Sequence, residues 1–141
     1  MNEDELRLET EAHTFIKENK KELIHAFSDP NIYKPVSKPI SLFMAGSPGA
    51  GKTEVSKNLI KQFQDVPVRI DADEIRKMCP GYKGSNAHLF QKAANKGVNI
   101  LFDYALDHSL NLILDGTFAY AGAQENIRRS LDHKRTVELW F

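Results

Sequence analysis

The stretch "MAGSPGAGKTE", residues 44–54, decides the fold because small residues leave its backbone exposed just before a lysine and a threonine. An apolar run, "ISLFMA" (40–45), precedes it and is typical of a buried parallel strand. Apolar residues at helical spacing follow it, at Val55, Leu59, Ile60 and Phe63. The sequence therefore predicts a strand, a glycine-rich loop and a helix in immediate succession.

The loop fits the pattern G-x-x-x-x-G-K-[ST] at every position, with Gly46, Ser47, Pro48, Gly49, Ala50, Gly51, Lys52 and Thr53. Between a strand and a helix, such a loop turns successive N–H groups inward around phosphate oxygens. Lys52 can then reach the β- and γ-phosphates, and the Thr53 hydroxyl can ligate Mg²⁺. We therefore predict a phosphate-binding loop (P-loop) for ATP or GTP with Mg²⁺. The alternative is a glycine-rich turn without a ligand.

Strand and helix patterns alternate along the remainder of the chain. Helical periodicity covers residues 3–27, in one helix or two, and a proline-containing linker follows. Further strands are expected at 66–71, 110–117 and 136–141, with a long helix that starts near Ser85 and another helix at 121–132. This order predicts a three-layer α/β fold of the P-loop kinase type with a mainly parallel sheet. We expect an N-terminal helical segment and linker at 1–37 and a core at 38–141.

The composition narrows the classes of partner. Lysine plus arginine equals aspartate plus glutamate at 19 each, so no overall field favours nucleic acid or a membrane surface. Cys79 is the single cysteine, which fits a reducing compartment. No apolar run has the length of a membrane span, and the N-terminus is acidic where a signal peptide is basic. We therefore expect a cytoplasmic protein that binds neither nucleic acid nor membrane.

Two aspartates follow the second predicted strand, in "RIDADEIRK". Asp71 and Asp73 are expected at the carboxyl end of that strand, where open α/β sheets bind ligands. A carboxylate there can accept the proton of a substrate hydroxyl, so Asp73 is the candidate general base. The alternative is that Asp73 caps the following helix. Asp71 is assigned to holding structure or water.

A third aspartate ends the apolar strand "LNLILDGT". Asp115 is the candidate Mg²⁺ ligand, since a carboxylate at a strand end commonly lies beside the metal of a phosphate site. Gly116 lets the chain approach a ligand closely, and Thr117 offers a hydroxyl to the substrate. The alternative for Asp115 is a turn that ends the strand.

Together these motifs resemble the zeta toxins of bacterial toxin–antitoxin systems, over roughly residues 38–141. The residues that carry the resemblance are "GSPGAGKT", "IDADEIRKMCPGY", the long helix and "LILDGT". The resemblance implies a P-loop kinase that uses ATP or GTP to phosphorylate UDP-N-acetylglucosamine at its 3′-hydroxyl, with an antitoxin protein as a further partner. It also implies that Asp73 is the base. Asp115 would replace the family's usual glutamate beside the substrate.

The same resemblance indicates what this chain lacks. Zeta toxins continue into a lid that carries arginines and then a further strand and helix, whereas this chain ends at Phe141. Arg128 and Arg129 are the candidate replacement pair, but their position on a predicted helix favours simple surface exposure. We expect weak turnover without lid arginines.

Two other functions fit the same residues. The first is a different P-loop kinase, acting on a small hydroxylated metabolite or an antibiotic. The second is a truncated nucleotide-binding remnant with little catalysis that engages at most a partner protein.

Overall fold

A computed structural model describes residues 1–44, 52–61, 63–115 and 123–140. Six helices and four strands lie in these ranges. The helices are α1 (Glu3–Glu18), α2 (Lys20–Ser28), α3 (Lys52–Ile60), α4 (Ala72–Lys77), α5 (Gln91–Asp107) and α6 (Ala123–Asp132). The strands are β1 (Ile40–Met44), β2 (Val68–Asp71), β3 (Leu112–Asp115) and β4 (Thr136–Trp140).

The four strands form one parallel sheet in the order β2-β3-β1-β4. In this order β3, which comes third in the chain, lies between β1 and β2. The register places Asp115 of β3 opposite Met44 of β1 and opposite Asp71 of β2. The ends of the three strands therefore meet at one edge of the sheet, which we call the carboxyl edge. The predicted α/β fold with a parallel sheet is confirmed.

Helices cover both faces of the sheet, as a three-layer fold requires. On one face, Phe43, Ile70 and Leu114 pack with side chains of α1, α2 and α5 in the main apolar core. Alternate residues of the same strands point to the opposite face. There Leu42, Met44 and Ile113 pack against Leu59 and Ile60 of α3.

The N-terminal helical pattern forms two helices, separated at Asn19. Asn2 begins α1 with a reciprocal cap, since its side chain accepts from the Glu5 backbone while Glu5 accepts from the Asn2 backbone. Ala12, Ile16 and Leu23 are almost fully buried in the main core. These two helices therefore help to form the core around α5.

The long helix begins later than the sequence predicted. A 3₁₀ turn spans Ala87–Phe90, and α5 starts at Gln91 with Phe90 as its N-cap, so the expected start near Ser85 is wrong. Gly97 lies in the middle of α5, where a Cβ atom would be 2.7 Å from Ile75 Cγ2 of α4. The glycine thus permits the close approach of α4 to α5. None of the helices in the described ranges is both long and apolar enough to cross a membrane.

A buried polar cluster lies at the opposite, amino edge of the sheet. Arg135 is 4% exposed and donates to Ser41 Oγ at 2.7 Å and to the carbonyl oxygens of Ile40 and Leu110. Ser130 of α6 also donates to Ser41 Oγ, at 2.9 Å. Burial lowers the pKa of Arg135 to about 10. This cluster fastens α6 and β4 to β1, far from the carboxyl edge.

Candidate functional site

The described residues place the three candidate aspartates at the carboxyl edge of the sheet. Asp71 and Asp115 end adjacent strands, and Asp73 lies in the first turn of α4, directly after β2. Parallel strand order is the cause, because it brings the ends of β1, β2 and β3 together.

Several other candidate residues lie outside the described residues, namely Gly46, Ser47, Pro48, Gly49, Ala50, Gly51 and Thr117. Lys52 and Thr53 are the first two residues of α3, and their side chains also lie outside what is described. The N-terminus of α3 nevertheless follows β1, so the helix begins where the predicted loop ends. A helix N-terminus carries partial positive charge and favours an anion.

The two aspartates of the "DAD" segment have different roles. Asp71 is the N-cap of α4, and its Oδ1 accepts from the backbone N–H of Asp73 at 2.9 Å. The alternative that Asp73 caps this helix is therefore wrong, because Asp71 makes that hydrogen bond. Asp73 keeps its side chain 72% exposed, two residues after the strand end. Its carboxylate is thus accessible to a ligand at the carboxyl edge.

Arg69 links the other two carboxylates. Its Nη2 atom lies 3.0 Å from Asp71 Oδ2 and 2.6 Å from Asp115 Oδ2. The Asp115 side chain is only 2% exposed, whereas that of Asp71 is 18% exposed. Two carboxylates on neighbouring strand ends repel each other, and a shared guanidinium offsets this repulsion. Arg69 therefore holds Asp115 in a fixed position at the edge.

The pKa of Asp71 reflects its burial, the neighbouring charges and one hydrogen bond. Its pKa is raised chiefly by burial, and the negative charges of Asp115 and Asp73 act in the same direction. The hydrogen bond from the Asp73 backbone and the charge of Arg69 act in the opposite direction. Burial is the larger influence, since it removes water from around the charged form. Asp71 Oδ1 accepts from the Asp73 backbone at the start of α4, and this hydrogen bond, which favours the charged form, fits a structural role.

A second arginine, Arg76, contacts Asp73 from within α4. Its Nη1 donates to Asp73 Oδ1 at 2.5 Å, and its Nη2 donates to Gln91 Oε1 of α5 at 2.6 Å. Neither Arg69 nor Arg76 is among the site residues predicted from the sequence. A signal existed for each, because Arg69 lies two residues before Asp71 on the same face of a strand, and Arg76 lies three residues after Asp73 on a helix.

Arg128 and Arg129 pair with residues of α6 and α5. Arg128 is 68% exposed and pairs with Glu125 one turn earlier in α6, as expected for a surface residue. Arg129 differs from that expectation, since it is only 29% exposed and pairs with Asp103 of α5. Its guanidinium also lies 5.1 Å from the centre of the Phe102 ring. Arg129 therefore fastens α6 to α5.

The family model for the zeta toxin matches residues 24–141. A solved structure from the PezAT chromosomal toxin–antitoxin system of Streptococcus pneumoniae superposes with a TM-score of 0.71 at 22% sequence identity. The match covers 99% of this chain and 56% of the other, so this chain spans little more than half the length of that relative. No curated protein matches.

Proposed function

Because the chain belongs to the zeta toxin family, we propose that it is a kinase that transfers phosphate from ATP or GTP to a hydroxyl of a sugar nucleotide. The proposed acceptor is UDP-N-acetylglucosamine, and the biological role is that of a toxin acting on cell-wall synthesis. An antitoxin protein is the proposed partner, in keeping with the toxin–antitoxin system named for the similar structure. Another small hydroxylated acceptor, including an antibiotic, is the alternative substrate class for the same edge of the sheet.

The observation that best supports this proposal is the exposure of the Asp73 side chain at the carboxyl edge. Asp71 makes the capping hydrogen bond, so Asp73 is not needed for the helix end. Asp73 is mostly exposed at the edge where β1, β2 and β3 end. A general base needs a carboxylate that a substrate hydroxyl can reach, and Asp73 meets that condition.

The described donors also suit a triphosphate with Mg²⁺. Asp115 places a buried carboxylate, paired with Arg69, beside the end of β1, and carboxylate oxygen is the kind of ligand that Mg²⁺ prefers. Asp115 and Thr53 would hold the metal ion, and Lys52 with the loop N–H groups would hold the phosphates. Bound there, the nucleotide would supply its γ-phosphoryl group and leave as the nucleoside diphosphate.

The chain's own residues have defined tasks in the transfer. Asp73 accepts the proton of the acceptor hydroxyl while the hydroxyl oxygen forms a bond to the γ-phosphorus. The bond between that phosphorus and the nucleoside diphosphate breaks in the same step. Lys52 neutralises phosphate charge while the bond breaks. Arg69 keeps Asp115 and Asp71 in place, so that the metal ligand does not move with the substrate.

The first test separates binding from chemistry at Asp73. Asp73→Asn is expected to keep nucleotide affinity, measured by calorimetry, and to lower phosphoryl transfer, followed by ³¹P NMR, by about 10²–10⁴-fold. The matched control is Glu74→Gln, since Glu74 is the next residue of α4 and is also exposed. Equal turnover in Asp73→Asn and in the parent would remove Asp73 from the mechanism.

The second test concerns the nucleotide site. Lys52→Ala is expected to abolish or greatly weaken binding of ATP or GTP with Mg²⁺ while the protein stays folded, because the lysine serves the phosphates. Lys57→Ala is the matched control, an exposed lysine of the same helix. Unchanged affinity in Lys52→Ala would contradict the assignment of the loop. Transfer to a panel of acceptors then distinguishes sugar nucleotides from other hydroxylated molecules.

A further inference from the structure

Arg76 connects the candidate base to the start of α5 through a chain of hydrogen bonds. One guanidinium nitrogen donates to Asp73 Oδ1 and another to Gln91 Oε1. The amide of Gln91 in turn donates to Asn95 Oδ1, one turn further along α5, at 2.8 Å. The link therefore runs from an exposed position at the sheet edge to the long helix of the core.

The ion pair between Arg76 and Asp73 differs from an ordinary surface pair because one of its two side chains is largely buried. The Arg76 side chain is 12% exposed, whereas the Asp73 side chain is 72% exposed. Lys77 and Glu74, at the same spacing on the same helix, are 61% and 47% exposed. Exposed pairs contribute little to stability, because water screens their charges and both side chains lose freedom when they pair. Burial and the hydrogen bond to Gln91 already restrict the Arg76 side chain. Formation of the pair therefore has to order only the Asp73 side chain.

We propose that Arg76 is a positioning residue for Asp73, anchored by Gln91, that fixes the carboxylate in one rotamer for proton transfer. This inference rests on the proposed function in one respect, namely that Asp73 is the base. Precise orientation of a reacting group matters because small displacements can cost about 10²-fold in rate. The exposed carboxylate would otherwise sample several rotamers in water.

The direct test measures the Asp73 side chain without any turnover. Three-bond couplings from Cγ to the backbone ¹⁵N and carbonyl ¹³C report the χ1 rotamer in solution. We expect one rotamer in the parent and in the control Lys77→Met, and rotamer averaging in Arg76→Met. Averaged couplings in the parent, or a single rotamer in Arg76→Met, would overturn the proposal. If Arg76→Met does not fold, Gln91→Leu decides in the same way, because it keeps the arginine and removes its anchor.

Kinetics provide the second readout. Arg76→Met is expected to lower kcat by about 10–100-fold with little change in KM for the nucleotide. Arg76→Lys should recover part of this loss, since it keeps the charge but cannot bridge Asp73 and Gln91 equally well. A rise in KM for the acceptor at unchanged kcat would instead make Arg76 a substrate-binding residue and overturn the positioning role.

The proposed function and this inference fail differently. If Asp73→Asn retains full turnover, or if the parent transfers no phosphate, the proposed function fails while the couplings still decide whether Arg76 orders Asp73. If Asp73→Asn is inactive but Arg76→Met matches Lys77→Met in both rotamer and kcat, the positioning role alone fails.

Discussion

Gly97→Ala is predicted to destabilise this protein although alanine is the better helix former. The new Cβ atom would lie 2.7 Å from Ile75 Cγ2 and 3.2 Å from Ile75 Cδ1. Ile75 is fully buried, and its Cγ2 methyl is attached directly to Cβ, so it cannot swing away without rotation about χ1. Rotation about χ1 is strongly restricted for β-branched residues in helices. Relief therefore requires α4 to move away from α5.

Two opposing contributions set the change in the free energy of unfolding for Gly97→Ala. Replacing a glycine by alanine inside a helix favours folding by about 0.5–1 kcal/mol. Overpacking of a buried contact costs about 1–3 kcal/mol. At mid-range the clash is the larger contribution, so we expect a net loss of about 1 kcal/mol, and of at most about 2.5 kcal/mol, in the free energy of unfolding. At about 4 °C per kcal/mol for a domain of this size, that corresponds to a fall in Tm of roughly 4 °C and of at most about 10 °C.

A double-mutant cycle isolates the clash. Ile75→Ala alone should cost about 2–5 kcal/mol through the cavity that it leaves. In that background the nearest neighbour still given for the new Cβ atom is Leu23 Cδ2 at 3.5 Å, an ordinary contact, so Gly97→Ala should become stabilising by about 0.5–1 kcal/mol. Urea denaturation of the four proteins measures each value. A stabilising Gly97→Ala in the native background would refute the reasoning, as would equal effects in the two backgrounds.

Three further predictions concern other contacts. Arg135→Met should lower the free energy of unfolding by about 2–4 kcal/mol in urea denaturation, because Ser41 and two carbonyl groups lose a buried donor, and parental stability would contradict this. Burial raises the pKa of the Cys79 thiol from 9.0 to about 11, so a disulfide reagent at pH 8 should label it only as fast as the protein opens. Because that folded-state pKa lies above the unfolded value, the contribution of Cys79 to stability is expected to fall as pH rises from about 9 to 11 in denaturation curves. Arg129→Gln should lower the free energy of unfolding by about 1 kcal/mol, because the ion pair with Asp103 and the contact with the Phe102 ring are lost. Phosphoryl transfer should be unchanged, and a large loss of turnover would instead indicate that Arg129 acts in catalysis.

Local patterns were sufficient for the order of elements and for the fold class. The apolar run at residues 40–44, the glycine loop after it and the helical spacing that follows are each encoded within a few neighbouring residues. The same holds for Asp71, Asp73 and Asp115, whose positions at strand ends follow from where each strand stops. Since parallel strands expose their carboxyl ends at one edge, the sequence also indicated that these aspartates would share that edge.

Contacts between distant residues needed the tertiary structure. The register between β2 and β3 gives Arg69 a bond to Asp115, 46 residues later, and the sequence does not encode that register locally. The bond from Arg76 to Gln91 depends on the loop between α4 and α5, which brings the two helices together. In the same way, the place of Gly97 beside Ile75 could not be read from helical periodicity.

What the sequence by itself determined was the alternating α/β order, the phosphate-loop motif and the three candidate carboxylates, because those depend on short-range periodicity and residue type. The tertiary structure decided which aspartate caps α4, which arginine each carboxylate contacts and how far each is buried. Those outcomes depend on strand order and on the distance between packed helices, where a difference of about an ångström makes or breaks a hydrogen bond. Asp71 makes the cap hydrogen bond of α4, and Arg69 pairs with Asp71 and Asp115. Neither interaction uses the Asp73 carboxylate, which therefore stays accessible.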